Sequence, residues 1–227
     1  MIKLKDKSRT NREQNKDNMN KEEQYNSEIY EEKVKREKKR QHNKTIKQFK
    51  KNQKQFILTS RFSIETWNEN QHYLQTIKAK VHNIHCIYCT PYIVARCIPP
   101  SSIMYILEMN NDKNRIMGIG MVRNKYQKPY KYSIYTNQIY NRFNYVGRYH
   151  ISRSEMNVEE NILMCYFDNV CFKGNSHMKR GRGITMFPMD TIYHLKTTNN
   201  IYLVEYIKNM FKRRFIDTTN PHPTNHT

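Results

Sequence analysis

CIPPSSIMYILEMNNDKNRIMGIGMVRN, residues 97–124, is the stretch from which the fold is read. Two apolar runs, residues 103–107 and 116–122, flank Asn110, Asn111, Asp112, Lys113 and Asn114, a cluster of residues that tolerate turn conformations. That pattern predicts a β-hairpin with a polar tip. Pro99 and Pro100 cannot join a central ladder, so they fix where the first strand begins, and Gly118 and Gly120 point to a bulge or a close approach of another backbone. The apolar runs imply strands buried on both faces. The hairpin reads as scaffold without chemistry, so function is sought in the basic and aromatic segments around it.

The chain has 227 residues, 37% of them hydrophobic, and a formal net charge of +20. This allows one medium domain plus a substantial unpacked segment. Its 17 Tyr and 9 Phe are enough to build a core. The basic excess makes polyanions the expected partners, nucleic acid first and an anionic membrane surface second. An AT-rich coding sequence would also raise Lys, Asn, Ile and Tyr together, which is the alternative source for part of the charge. No apolar run approaches the roughly 18–20 residues of a membrane span, and no secretory signal opens the chain. With 5 Cys and no export signal, reduced thiols in an intracellular compartment are expected, with the nucleus or a virion or viral factory as places for a nucleic-acid binder.

Residues 1–54 carry 18 Lys and Arg against 9 acidic residues and almost no apolar periodicity. They read as a basic low-complexity tail, disordered or helical, with pairs such as Glu31–Lys35 and Glu32–Arg36 at four-residue spacing and the run KVKREKKR as a targeting or nucleic-acid patch. The folded domain is expected over residues 55–216, followed by a polar tail, 217–227. It opens with a short strand at 56–59, then Ser63 as N-cap of a helix over 64–78 whose face holds Trp67, Leu74 and Ile77. Trp67 serves as a core anchor or a stacking platform. Cys86 and Cys89 stand at C-x2-C spacing behind His82 and His85, half of a zinc site that Cys97, or Cys171 and His177, would have to complete; the bland alternative is a pair of small buried thiols. No other cofactor is implied.

Beyond the hairpin, Phe143, Tyr145, Tyr149 and Ile151 alternate with Arg142, Asn144, Arg148 and His150, as on a strand with one apolar and one polar side. Rings beside cations suit a single strand of nucleic acid, because bases stack on rings while cations follow phosphates; Tyr is also a common strand filler. Ser152 and Glu155 fit a capping box, and Val158, Ile162 and Tyr166 repeat every four residues, predicting a helix that ends near Asp168. Gly174, Gly181 and Gly183, set among Lys173, Lys179, Arg180 and Arg182, form a loop suited to a phosphate backbone, with an ordinary basic surface loop as the alternative. The stretch lacks the Gly-Lys-Ser/Thr ending of a nucleotide cradle. Residues 200–215 give an amphipathic helix with a basic C-terminal end.

From residue 56 to 188 the order of elements resembles the PUA-like superfamily, which includes the EVE and YTH domains. FILTS stands as the opening strand, a Trp-bearing helix follows, then the SSIMYILEM strand and RIMGIGMV with small residues between apolar ones. The resemblance spans about half the chain and rests on no invariant motif. It implies an α+β fold, a small mixed-strand β-barrel or curled sheet with flanking helices, binding RNA or modified bases in a pocket with aromatic walls. Trp67 is the only Trp, so Tyr or Phe would replace the other walls of a YTH-type cage. A basic tail on a Lys/Asn-rich domain also looks like proteins of large DNA viruses.

The function expected from these features is non-catalytic binding of RNA or of plain or modified DNA. The binding residues are Lys173, Lys179, Arg180, Arg182, Arg142, Arg148, Tyr145 and Trp67, and the tail adds sequence-independent affinity. Two alternatives stand beside it. One is a metal-dependent nuclease using Glu155, Asp168 or His177, although paired carboxylates are scarce. The other is a structural or packaging protein of a virion.

Overall fold

The computed structural model describes residues 4–78, 80, 81 and 83–215, with side chains from residue 25 onward apart from residue 26. His82 and the polar segment expected at 217–227 lie outside them. The chain divides into two compact units, Met1–Asn52 and Gln53–Thr227. In the first unit the basic segment is one helix, α1 (Leu4–Lys51), the second of the two states expected for it. Good helix formers and pairs such as Glu32–Arg36, closed at 2.7 Å, favour it, while its polar surface offers no stripe to dock.

The second unit opens with β1 (Gln55–Phe62), α2 (Ile64–Lys78), β2 (Cys86–Thr90), β3 (Ile103–Asn110) and β4 (Arg115–Arg123). It continues with β5 (Phe143–Gly147), β6 (Tyr149–Ser152), α3 (Val158–Phe172), β7 (Ile184–Met186), α4 (Met189–Asn199) and α5 (Leu203–Phe215). Five strands form a mixed sheet in the order β6-β4-β3-β1-β7, and β2 and β5 form a separate two-stranded ribbon. Only β1 and β3 run parallel, so the chain must cross over between them, which it does through α2 and β2. The fold is α+β; among the described residues the strands do not close into a barrel. None of the described helices is long and apolar enough to cross a membrane.

The hairpin is β3–β4. Its tip is held locally: the Asn110 side chain accepts from the backbone N–H of Asp112 (3.2 Å) and Lys113 (2.9 Å), and Asn114 adopts φ 49°. Its base is closed by Ser101 and Asn124, whose N–H donates to Ser102 O at 2.8 Å. A bulge does occur, and at one of the glycines: Leu107 to Met109 on β3 faces Ile119 to Ile116 on β4, so Met117 and Gly118 together stand opposite Glu108. Gly120 admits a side chain, since a Cβ there would lie 1.9 Å from the Tyr88 hydroxyl.

Alternate residues of the sheet feed two cores. Phe56, Leu58, Met104, Ile106 and Val122 share one buried cluster with Ile87 and Tyr145 of the β2–β5 ribbon and with Leu74 and Ile77 of α2. The other face packs on the C-terminal helices, where Tyr105 meets Phe211 at 5.4 Å. Burial on both sides explains the unbroken apolar runs of β1 and β3.

Three local expectations need correction. The alternating stretch at 142–151 is not one strand: it breaks at Arg148 into β5 and β6, which belong to different sheets. Ser152 and Glu155 do form a capping box, but it closes a single 3-10 turn; α3 begins at a second box made by Asn157 and Glu160 and runs on to Phe172. The repeat of Val158, Ile162 and Tyr166 does lie in α3, but Val158 and Ile162 are exposed (Ile162 66%) and Tyr166 is half-buried, so α3 is docked by Met164, Phe167 and Cys171.

Candidate nucleic-acid interface

The glycine-rich segment leaves α3 at Lys173 and returns to the sheet as β7, antiparallel to β1 with Ser60 opposite Ile184. Gly174, Gly181 and Gly183 all take positive φ (76°, 124° and 70°), a conformation that costs other residues about 1–2 kcal/mol. Gly183 also lies against β2, where a Cβ would come 2.2 Å from the Thr90 hydroxyl. The anchor of the loop is Arg61, which sequence analysis did not single out. Its guanidinium donates to the carbonyl of Met178 (2.5 Å) and to the hydroxyl of Thr185 (2.9 Å), tying the middle of the loop to the strand it runs into. Burial pulls the Arg61 pKa down from its usual value. From the hairpin tip, Asn111 Nδ2 donates to Lys179 O at 3.3 Å. The segment is thus held by backbone carbonyls, which leaves the side chains of Lys173, Arg180 and Arg182 exposed.

Where this loop meets the end of β1 there is a cavity of about 220 Å³. Arg61 and Arg182 contribute charge, Tyr135 and Tyr140 contribute aromatic wall, and Ser63, Thr66 and Asn111 contribute polar groups. No carboxylate lines it. The two tyrosines stand edge to face, centroids 6.4 Å apart, on a loop fixed before any ligand arrives. Asn141 Oδ1 accepts from the N–H of both Ile134 and Tyr135 at 3.0 Å, its Nδ2 donates to Tyr135 O at 2.8 Å, and the Glu69 carboxylate accepts from Thr136 N at 2.9 Å. The Tyr135 hydroxyl is tied to Asn70 at 3.3 Å. Asn111 Oδ1 is a buried acceptor without a partner. Cys89 also lines the cavity, but burial pushes its thiol up to about 12, and Asn144 Nδ2, which donates to its sulfur at 3.0 Å, only partly offsets this. A neutral thiol at physiological pH is no nucleophile.

The remaining sequence-predicted residues do not converge here. Arg142 is exposed beside this end of β5 and stacks on Phe143 at 5.2 Å. Arg148 is exposed on the β5–β6 turn, next to Gly147 and so at the Cys86 end of β2, whereas the cavity lies at the Thr90 end. The two ends of the sheet are roughly 23 Å apart, for β3 spans 8 residues at about 3.3 Å each. Tyr145 is fully buried in the core, and its hydroxyl accepts from Val94 N at 3.0 Å, so its ring is closed to any base. Trp67 lies half-buried, edge-on to Phe62 at 5.3 Å, as a core anchor outside the cavity lining. Cys86 and Cys89, the metal candidates, sit three positions apart on a strand and point to opposite faces, one toward β4 and Tyr149 and the other toward the cavity. Among the described residues no three His, Cys, Asp or Glu gather to hold a metal ion. Asp168 is engaged by Arg153 (2.8 Å) and by the N–H of Ile116 (2.7 Å), and Glu155 is part of the cap, so both carboxylates proposed for a nuclease hold the fold.

Contrary to its reading as inert scaffold, the hairpin does contain ionisable chemistry. Glu108, buried on β3, accepts from the Tyr88 hydroxyl at 2.7 Å across the two sheets and bonds to His150 Nε2 at 3.0 Å. Burial works against protonation of His150, but the charge and hydrogen bonds of Glu108 outweigh it and raise the pKa. Comparison with models of known families, with curated proteins and with solved structures finds no match to this chain.

Proposed function

We propose that the chain is a non-catalytic nucleic-acid-binding protein whose folded unit takes a single strand of RNA or DNA across the glycine-rich loop, with one base turned into the adjoining cavity. The observation that carries this is the meeting of Arg61, Arg182 and two preorganised tyrosines around a cavity without a carboxylate. Exposed Arg180 and Lys173 follow the phosphates, Tyr140 and Tyr135 meet the ring, and Asn111 Oδ1 offers an acceptor to an amino group on the base. The basic helix α1 adds salt-sensitive, sequence-independent attraction. A PUA-like affiliation is supported by the order of β1, the Trp-bearing α2 and the β3–β4 hairpin, and a modified base is the ligand it suggests; the open sheet departs from that superfamily's barrel. Nuclease chemistry is disfavoured because Asp168 and Glu155 are spent on structural bonds. Binding in the nucleus or a virion follows only if nucleic acid is the ligand.

Anisotropy titration of the full chain with labelled single-stranded RNA and DNA tests the proposal. Arg180→Ala with Arg182→Ala weakens binding and flattens its salt dependence by about 1.4 in the log–log slope, about 0.7 for each phosphate contact on a single strand. Tyr140→Ala weakens it by about 1–3 kcal/mol with the slope unchanged. Equal affinity in all variants, with binding lost only when the Lys and Arg of α1 are neutralised, leaves a charged packaging protein instead.

A further inference from the structure

We infer that a second nucleic-acid contact, separate from the loop cavity, lies at the opposite end of the five-stranded sheet; it rests on the proposal above for the class of ligand alone. Two grooves meet there, of about 310 and 180 Å³, and they share Ile103, Met121 and Tyr149. Five cations rim them: Arg123, Lys125 and Arg148 on one side of Tyr149, and Lys208 and Lys212 on the other. No carboxylate lines either groove. Lys208 is committed to Glu205 at 2.9 Å, while Arg148, Lys125 and Lys212 form no ion pair among the described residues.

The floor is apolar and aromatic. Tyr149, 36% exposed, lies between the two sets of cations and is held from beneath by Phe215 at 5.0 Å, which itself packs on Phe211. An exposed ring fixed by other rings and bordered by unpaired cations is what a stacked base between two phosphates requires. Tyr149 and Arg148 carry the functional content of the aromatic-basic stretch, since Tyr145 faces the core. The strand bound here is single, because the ring must enter between bases that a duplex keeps stacked.

The test is photocrosslinking of the full chain to a single-stranded RNA of about 20 nucleotides carrying 4-thiouridine, with binding measured in parallel. Crosslinks are expected on the peptide holding Tyr149 in addition to the 173–183 loop. Tyr149→Ala is expected to weaken binding about tenfold, the change one stacked base carries, while Tyr130→Ala, an exposed ring outside both sites, is silent. Arg123→Gln with Arg148→Gln is expected to lower the salt slope by about 1.4 with melting unchanged. Crosslinks confined to the loop, with Tyr149→Ala and the double Gln variant binding as wild type, refute the second contact and leave the loop site standing. Crosslinks at Tyr149 without any at the loop support the second contact and remove the first. Binding to phosphatidylserine vesicles that these variants abolish, with RNA binding intact, refutes it in favour of a lipid surface.

Discussion

Replacing His150 with alanine tests whether a buried charge ties the two sheets together. The Glu108 side chain is 3% exposed and sits against Gly118, with Tyr88 from the ribbon and His150 from the sheet edge as its partners. Removing one partner of a buried ion pair costs about 3–5 kcal/mol. His150 keeps 21% of its side chain in solvent, so water reaches the vacated space and the expected cost is nearer 2–3 kcal/mol. For a unit of this size that lowers the melting temperature by about 4–12 °C. The pH dependence has a definite sign. The folded pKa of His150 is raised, so its contribution is full below about pH 6.5 and is lost as pH rises through the folded value. Lys78 and Glu155 act on the same ring in opposite directions and leave that sign unchanged. Urea unfolding at pH 5.5, 7 and 9 should therefore show the gap between wild type and His150→Ala shrinking with pH, and Glu108→Gln in the same chain should recover part of the loss. A cost under about 0.5 kcal/mol at every pH, or one that grows as pH rises, refutes the tie.

Gly183→Ala combines a positive φ with a Cβ 2.2 Å from the Thr90 hydroxyl, so it should destabilise by about 2–3 kcal/mol, and Thr90→Ala should restore part of that in a double-mutant cycle followed by thermal melting. Arg61→Lys should weaken single-strand binding about tenfold in anisotropy, because an ammonium cannot span Met178 O and the Thr185 hydroxyl together. Ile162→Lys should change stability by no more than about 0.5 kcal/mol in urea titration, since this residue faces outward from α3.

What could be read from the residues was what neighbouring residues decide. The hairpin and α2 were legible because Asn110, Ser63 and a repeating apolar face act within a few positions of themselves. The capping box at Ser152 was legible too, but two such boxes in succession leave the start of α3 open until packing selects Asn157. Both α4 and β7 escaped notice. Strand β7 has 3 residues, and α4, MDTIYHLKTTN, buries only Met189 and Ile192. Tyr145 and Arg148 look alike in an aromatic-basic stretch, and only the sheet each side chain faces separates a core ring from a surface cation. Arg61 resembles any strand-end arginine until the loop from more than 110 residues downstream folds onto it. Long-range contacts of this kind leave no local spacing to detect.

The most direct test of the central claim is hydrogen–deuterium exchange of the full chain with and without saturating single-stranded oligonucleotide. Slowed exchange in peptides covering 134–141 and 178–185, the tyrosine loop and the glycine-rich loop, is the predicted result. Protection confined to residues 1–52 would show that the basic helix alone meets the ligand and would contradict a binding role for the cavity.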